Sequence, residues 1–489
     1  MERQLRRVGI GLLAAFLAVF FQLNYVQWIS AQDIASNRAN VRRLLREYSI
    51  KRGDIITSDR VTLATSRRTS GRLKYERLYP EGELYGHITG YYSIIYGNAR
   101  IEAAFNEQLL GEGGVLSVQD FRDRFLGGGE EGNDVRLTIH SRLQEAARSA
   151  LGQHRGSVVA LDPRTGEVKA MWNYPSYDPG PLASHNPREQ RRYRRSLKPN
   201  DPESPLISLA TSRSYPPGST FKVVVTAAAL ESGFTPRSTF PDPQALDLPQ
   251  TDAVLRNFSR TACTGGGQID LFTALEISCD TTFGLLGLRR HDRIREVSEG
   301  FGFNEPIPAD VGTEASVFPD IPDDTANLRA FAGIGQGDVS ATPLQMALVA
   351  AGVANGGQVP RPRLVQEIVD PNARIEERFT PEILGQPMSS RTAQQVTDMM
   401  VAVVESGTGT AAQIDGVQVA GKTGTAQTGI PGTNPHTWFI AFAPADDPQL
   451  AVAVIVEHGG SFGSEATGGA VAAPIAKAVL EADRRISGW

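Results

Sequence analysis

The chain has 489 residues, more than one hydrophobic core usually supports, and an ordinary globular composition in which 40% of residues are hydrophobic. A formal net charge of −5 excludes a global basic field for nucleic acid. Two cysteines and seven scattered histidines exclude a zinc cluster and leave no evident Ser/His/Asp arrangement.

The first predicted element follows "MERQLRR" and reads "VGIGLLAAFLAVFFQLNYVQWISAQ", with no charged residue from Val8 until Asp33. That run can cross a bilayer, and Arg3, Arg6 and Arg7 on its short flank predict a cytoplasmic N-terminus with everything after about residue 30 outside. Tyr25 and Trp28 suit the outer interface. A cleaved signal peptide is the competing reading, since "ISA" could be a cleavage site. Bulky Tyr25, Val26, Trp28 and Ile29 fit such a region poorly, so an uncleaved anchor over 1–30 is expected.

Residues 31–140 are polar and rich in turns, with flexible loops marked by "GEGG" at 111–114 and "LGGGEEGN" at 126–133, the second a boundary. No nucleophile with a base, phosphate loop or paired carboxylates stand out there. The segment reads as a small, mostly β pedestal or partner-binding unit.

From 141 to 489 a larger unit is expected. Helical apolar spacing runs from Leu143 to Leu151, and "GSVVALDPRTGEVKAMWNYPS" is a hairpin by its turn and flanking apolar runs. The basic cluster "QRRYRRSLK" reads as a solvated loop that could serve as a local contact site. Helical patterns follow in "STFKVVVTAAALES", "LFTALEISCDTTFGLLG" and "TPLQMALVAAGVANGG". A second hairpin, "HTWFIAFAP" and "QLAVAVIVEH", closes the pattern. Strands at both ends with helices between predict an α/β (α+β) unit, an antiparallel sheet assembled from distant segments with helices on both faces. Outside the membrane the pair Cys263 and Cys279 reads as a disulfide more than a metal site, the alternative being two separate buried thiols.

The chemistry concentrates in three short motifs. "SYPPGSTFKVVVTAAALESG" puts Ser219 and Lys222 one helical turn apart after two prolines and a glycine. Ser-x-x-Lys alone is weak, because roughly one or two are expected by chance in a chain this long. "VQVAGKTGTAQTG" carries the rarer triplet Lys422, Thr423, Gly424, then Thr425; the bland reading is an edge strand broken by glycines. Between them, a single serine is followed two residues later by Asn or Asp: Ser278-Cys279-Asp280. The order is Ser-x-x-Lys, Ser-x-Asp, Lys-Thr-Gly.

With these motifs, and with "IKRGDIITSD", "GSVVALDPRTGEVKAMWNYPSYDP" and "GIGQGDVSATPLQMALVAAGVANGG", the chain resembles the penicillin-recognising serine acyltransferases. Within them it is similar to the class B penicillin-binding proteins, its short pedestal most of all to the actinobacterial PbpA group. The resemblance implies a peptidoglycan D,D-transpeptidase. Ser219 would attack a D-Ala-D-Ala carbonyl, Lys222 would act as base beside the cation Lys422, and Ser278 would relay the proton. Thr423, Gly424 and Thr425 would hold the substrate, with Gly421 and Gly424 leaving it room along the strand edge, and no metal or organic cofactor would be needed. β-Lactams would acylate the enzyme, and a membrane glycosyltransferase of the shape, elongation and division type would be its partner, since the pedestal is too short for a polymerase of its own. A β-lactam sensor, an inactive scaffold or a β-lactamase are the alternatives. Asp280 departs from the family's usual asparagine, and puts a carboxylate beside Lys222 unless Lys422 draws it away.

Overall fold

The computed structural model describes residues 2–25, 41–112 and 131–489. Val26, Trp28 and Ile29 at the outer end of the anchor, and the loop sequences between 113 and 130, lie outside the described residues. The first helix, α1 (Glu2–Asn24), contains a stretch apolar and long enough to cross a membrane, and Leu13, Phe16, Phe20 and Phe21 stand exposed along it.

The pedestal begins with α2 (Val41–Glu47), followed by β1 (Ile55–Ile56), β2 (Thr62–Arg68) and β3 (Tyr75–Leu78). Short helices at Gly86–Thr89, Arg100–Ala104 and Asn106–Leu109 precede β4 (Asp134–Leu137). Its content is thus mixed rather than mostly β, because Ile88, Ile101 and Leu109 bury themselves from helical turns. The larger unit continues with α3 (Ser141–Leu151), β5 (Gly156–Leu161), β6 (Val168–Tyr174) and α4 (Pro187–Ser196). Then come α5 (Lys222–Glu231), α6 (Leu271–Glu276), α7 (Asp280–Gly300) and α8 (Pro343–Ala354). The chain ends with β7 (Val365–Val369), β8 (Ile375–Arg378), α9 (Ser390–Glu405), β9 (Ala420–Ala426), β10 (His436–Ala443), β11 (Leu450–Val456) and α10 (Gly468–Ser487).

Two sheets organise these elements. The pedestal sheet has the order β8-β7-β4-β1-β2-β3, so a strand hairpin from residues 365–378 completes a sheet begun at residue 55. A cut at residue 140 therefore divides the chain but not this sheet. The second sheet, β9-β10-β11-β5-β6, is antiparallel throughout and joins the two ends of the larger unit. Every residue of β10 and β11 is buried, which requires cover on both faces. Helices α3 and α10 pack on it together, and α8 and α9 pack on it with α5 against α9. β9 is one edge strand of this sheet, and it carries Lys422.

The "KRG" motif has a structural job in the pedestal. Arg52 and Arg77 each donate from Nε to one oxygen of Glu102 at 2.6 Å, and all three side chains are buried. Gly53 has no room for a side chain, because a Cβ there would lie 2.0 Å from the Asn133 carbonyl oxygen. Burial pushes the Glu102 carboxyl up, but the Arg77 and Arg52 guanidiniums outweigh burial and hold it below the usual carboxylate range. Glu102→Gln keeps the shape and leaves two buried guanidiniums short of a counter-charge, so a loss of about 3–5 kcal/mol is expected from denaturant midpoints. A carboxyl depressed in the folded state contributes stability above its unfolded pKa and loses it as pH falls through the folded one. The gap between wild type and variant should accordingly be widest near neutral pH and close in acid.

Candidate active site

The segment leading into α5 is held from three sides. Tyr215 exchanges backbone hydrogen bonds with Ala341 at 3.0 and 2.8 Å, Trp438 Nε1 donates to the Pro216 carbonyl at 3.0 Å, and Gly218 N–H donates to Gly335 O at 2.9 Å. Two prolines restrict φ on entry, and Gly218 then adopts φ +54°, a left-handed conformation that glycine reaches without strain. Ser219 sits in a single 3₁₀ turn, Gly218–Phe221, which runs directly into α5. That helix is buried from Lys222 to Leu230, so the turn bearing Ser219 is fixed by a packed core rather than by helix propensity. Ser219 itself is half-exposed and opens onto a cleft of about 650 Å³.

The second piece departs from the continuous helical pattern of "LFTALEISCDTTFGLLG". Helix α6 stops at Glu276 and α7 starts at Asp280, with Ser278 between them at φ +63°. A serine in this region is strained and persists only where its surroundings impose it. Cys279 does so in part: it is bridged to Cys263 with the Cα atoms 5.8 Å apart, closing a loop whose ends are 16 residues apart. A loop of that length contributes on the order of 3 kcal/mol. The turn at Ser278 aims its carbonyl, its hydroxyl and the Asp280 carboxylate at one point. Lys222 Nζ occupies it, donating to Ser278 O at 2.9 Å, Ser278 Oγ at 3.3 Å and Asp280 Oδ1 at 2.6 Å.

The third piece is β9. Lys422 Nζ donates to the same Ser278 Oγ at 2.9 Å and to Thr423 O at 3.0 Å. Thr423 and Thr425 line the cleft, with Thr423 Oγ1 2.6 Å from Thr408 Oγ1. The expected role of the glycines needs correction. A Cβ on Gly424 would meet Thr220 Cγ2 at 2.9 Å and Pro217 O at 3.0 Å, and one on Gly421 would meet the Phe439 ring at 2.6 Å. The space these glycines leave is filled by protein. Gly424 lets the turn bearing Ser219 dock on the strand, and Gly421 admits Phe439.

Both lysines are fully buried and share one serine hydroxyl, but among the described residues one carboxylate, Asp280, serves them. Burial lowers Lys222, and the Asp280 carboxylate opposes that shift. Lys422 lies well below the ordinary amine range through burial and through the positive charge of Lys222. Asp280 bonds to Lys222 and makes no such contact with Lys422, so the carboxylate is not drawn away from the serine–lysine pair.

The cleft also contains residues that motif reading passed over: Thr408, Arg256, Phe258 and Gln336. The signal for Thr408 was the alternation "GTGT" at 407–410, a tight turn rich in hydroxyls. Nothing in the local sequence marked the others. Chemically, a half-exposed hydroxyl at a helix start, with two buried amines linked by a second hydroxyl and threonines opposite, is suited to acyl transfer.

Comparison with known proteins agrees with this chemistry. The penicillin binding protein transpeptidase domain family matches residues 156–481, and the penicillin binding protein A dimerisation domain family matches residues 52–135. The peptidoglycan D,D-transpeptidase PbpA of Mycolicibacterium smegmatis is 40% identical over 493 residues, covering 99% of each chain. Two structures of penicillin-binding protein A from M. tuberculosis also match. The ceftriaxone acyl-enzyme complex has a TM-score of 0.84 at 39% identity, covering 90% of this chain and 99% of that one. The penicillin G acyl-enzyme complex has a TM-score of 0.82 at 39% identity, covering 89% and 100%.

Proposed function

The chain belongs to the penicillin-binding protein transpeptidase family, and on that premise we propose that it is a peptidoglycan D,D-transpeptidase acting through a serine acyl-enzyme. The observation that carries the reading is the convergence on the Ser278 hydroxyl of two buried lysine amines, one of them from Lys222, a helical turn along the chain from Ser219.

Ser219 Oγ attacks the D-Ala-D-Ala carbonyl and gives its proton to Lys222 in its neutral form, which burial favours against the opposing Asp280 carboxylate. The backbone N–H groups of Ser219 and Thr425 stabilise the oxyanion. The C–N bond then breaks, and the proton returns through Ser278 to the departing D-Ala amine. An amine of a neighbouring stem peptide attacks the acyl-enzyme, forming the cross-link and releasing Ser219. Thr423 and Thr425 offer hydroxyls to the substrate carboxylate.

A β-lactamase needs a base for water. Among the described residues Asp280 is the one carboxylate lining the cleft, and it is bonded to Lys222. The test is labelling of the full chain with a fluorescent penicillin followed by a chase with unlabelled drug. Retention of label over many minutes is expected. Rapid loss would make the protein a β-lactamase, and no uptake would make it a scaffold.

Helix α1 fits a single-pass anchor. Its basic flank supports a cytoplasmic N-terminus, with the catalytic unit on the outer side, where its cross-linking substrate lies. The pedestal over residues 31–140 is too short to hold a glycosyltransferase domain of its own, which supports a membrane glycosyltransferase partner of the shape, elongation and division type.

A further inference from the structure

The basic cluster expected as a loop is helical. In α4 the exposed residues Arg188, Arg191, Arg192 and Arg195 fall at i, i+3, i+4 and i+7, which is one face of an α-helix. Lys198 extends this stripe beyond the helix end. The opposite face carries Gln190, Tyr193, Arg194 and Leu197, and packs on the pedestal: Ser93 Oγ donates to Gln190 Oε1 at 2.7 Å, and Arg194 lies 4.5 Å from the Tyr96 ring centroid. None of the five outward cations forms an ion pair among the described residues. Their acidic neighbours are committed elsewhere, since Glu189 accepts from Ser184 Oγ at 2.6 Å and Glu203 turns towards Arg155 and Arg213. In a chain of net charge −5, such a stripe is a concentrated positive field with no internal use.

Its place in the fold names the occupant. α2 is the first described element after the anchor, and the stretch 26–40 between them spans at most about 50 Å even fully extended. Tyr48, directly after α2, stacks on Tyr92 at 4.7 Å and meets His185 at 5.6 Å, two residues before α4 begins. The stripe therefore lies at the end of the pedestal nearest its tether. We propose that this face of α4 docks on anionic phospholipid headgroups of the membrane that anchors the chain, holding the pedestal against the bilayer. The proposal rests on the reading of α1 as an uncleaved anchor. Tethering raises the effective concentration, so contacts of about 1 kcal/mol per cation suffice. The stripe exposes no large apolar side chain, so the docking is electrostatic and salt-sensitive rather than insertional.

The test uses the full chain in lipid nanodiscs, with a donor dye on Ser196→Cys and an acceptor-labelled lipid. The native cysteines are both in the bridge and do not compete for dye. Discs of equal parts phosphatidylglycerol and phosphatidylcholine should give higher energy transfer than phosphatidylcholine alone. The excess should vanish between about 0.1 M and about 1 M salt, as the Debye length falls from roughly 10 to roughly 3 Å. It should also vanish when Arg188, Arg191, Arg192 and Arg195 are all changed to Gln, in a protein whose penicillin acylation rate in detergent is unchanged. Equal transfer in both lipids, or an excess that survives the four substitutions, overturns the docking and leaves the stripe to an acidic protein or wall polymer. A chain that leaves the discs in both compositions overturns the anchor reading and the docking with it.

Discussion

Ser219→Ala should remove covalent labelling by penicillin entirely and lower cross-linking turnover on the order of 10⁶-fold, the scale seen when a catalytic serine is deleted. Its denaturation midpoint should stay within about 0.5 kcal/mol of wild type, since the change removes one half-exposed oxygen. The rival nucleophile is Ser278, which also lines the cleft and is hydrogen-bonded to both amines. Proximity to two lysines argues against it, however. Its oxygen already accepts from Lys222 at 3.3 Å and from Lys422 at 2.9 Å, which draws electron density away from the attack. Its hydroxyl is held between the two amines. Ser219 stands at the start of a turn whose N–H groups face developing negative charge. Peptide mapping of the labelled wild type should find the acyl group on Ser219, and Ser278→Ala should keep some label while acylating more slowly. Label mapped to Ser278, or persisting in folded Ser219→Ala, would reverse the assignment.

The parts of this site that could be read from sequence were those specified by contiguous chemistry. Pro216, Pro217 and Gly218 announce a fixed entry and a tight approach at a helix start, and the chain there makes one 3₁₀ turn with Gly218 at φ +54° before α5 begins. The apolar runs of β10 and β11 are long enough to name a buried hairpin, and they pair in full register. Cys263 and Cys279 have few partners to choose from. By contrast, the reversal at Ser278 is invisible locally, because "LEISCDTT" is an acceptable helical sequence and only the bridge, the lysine and the packing of α7 force the break. The same limit hid the pedestal sheet. β4 pairs on one side with β1 in parallel and on the other with β7, more than two hundred residues later. Nothing in "LVQEIVD" states its distant partner.

Glycine and arginine patterns misled for a related reason. A Lys-Thr-Gly triplet at a strand edge suggests room for a ligand, whereas Gly424 is small so that Thr220 and Pro217 can approach. A run of arginines suggests a solvated loop, whereas in α4 the inward residues Gln190 and Leu197 are buried and hold it in a helix. In both cases the deciding contact comes from elsewhere in the chain.

Asp280→Asn should raise acylation at neutral pH and move the acid limb of its pH profile downward by about one to two units, which is about ten- to a hundred-fold in rate on that limb. The cause is the 2.6 Å contact between Asp280 Oδ1 and Lys222 Nζ. An adjacent carboxylate stabilises the ammonium, so the neutral amine that accepts the Ser219 proton appears only at higher pH. Asparagine keeps an oxygen for Lys222 to donate to, loses the charge and gains an N–H₂ that can meet the acyl-side carbonyl of the substrate. Burial then acts on Lys222 without opposition, and its proton is lost at lower pH. Because the two amines share Ser278 Oγ, the limb reports the coupled pair rather than one residue, and Lys422 should respond as well. The measurement is the second-order rate of penicillin acylation from acid to alkaline pH for both proteins, with rates converging above the upper limb. Superimposable profiles would show that the carboxylate does not govern Lys222, and a wild type without activity that asparagine restores would make the native protein a binding scaffold.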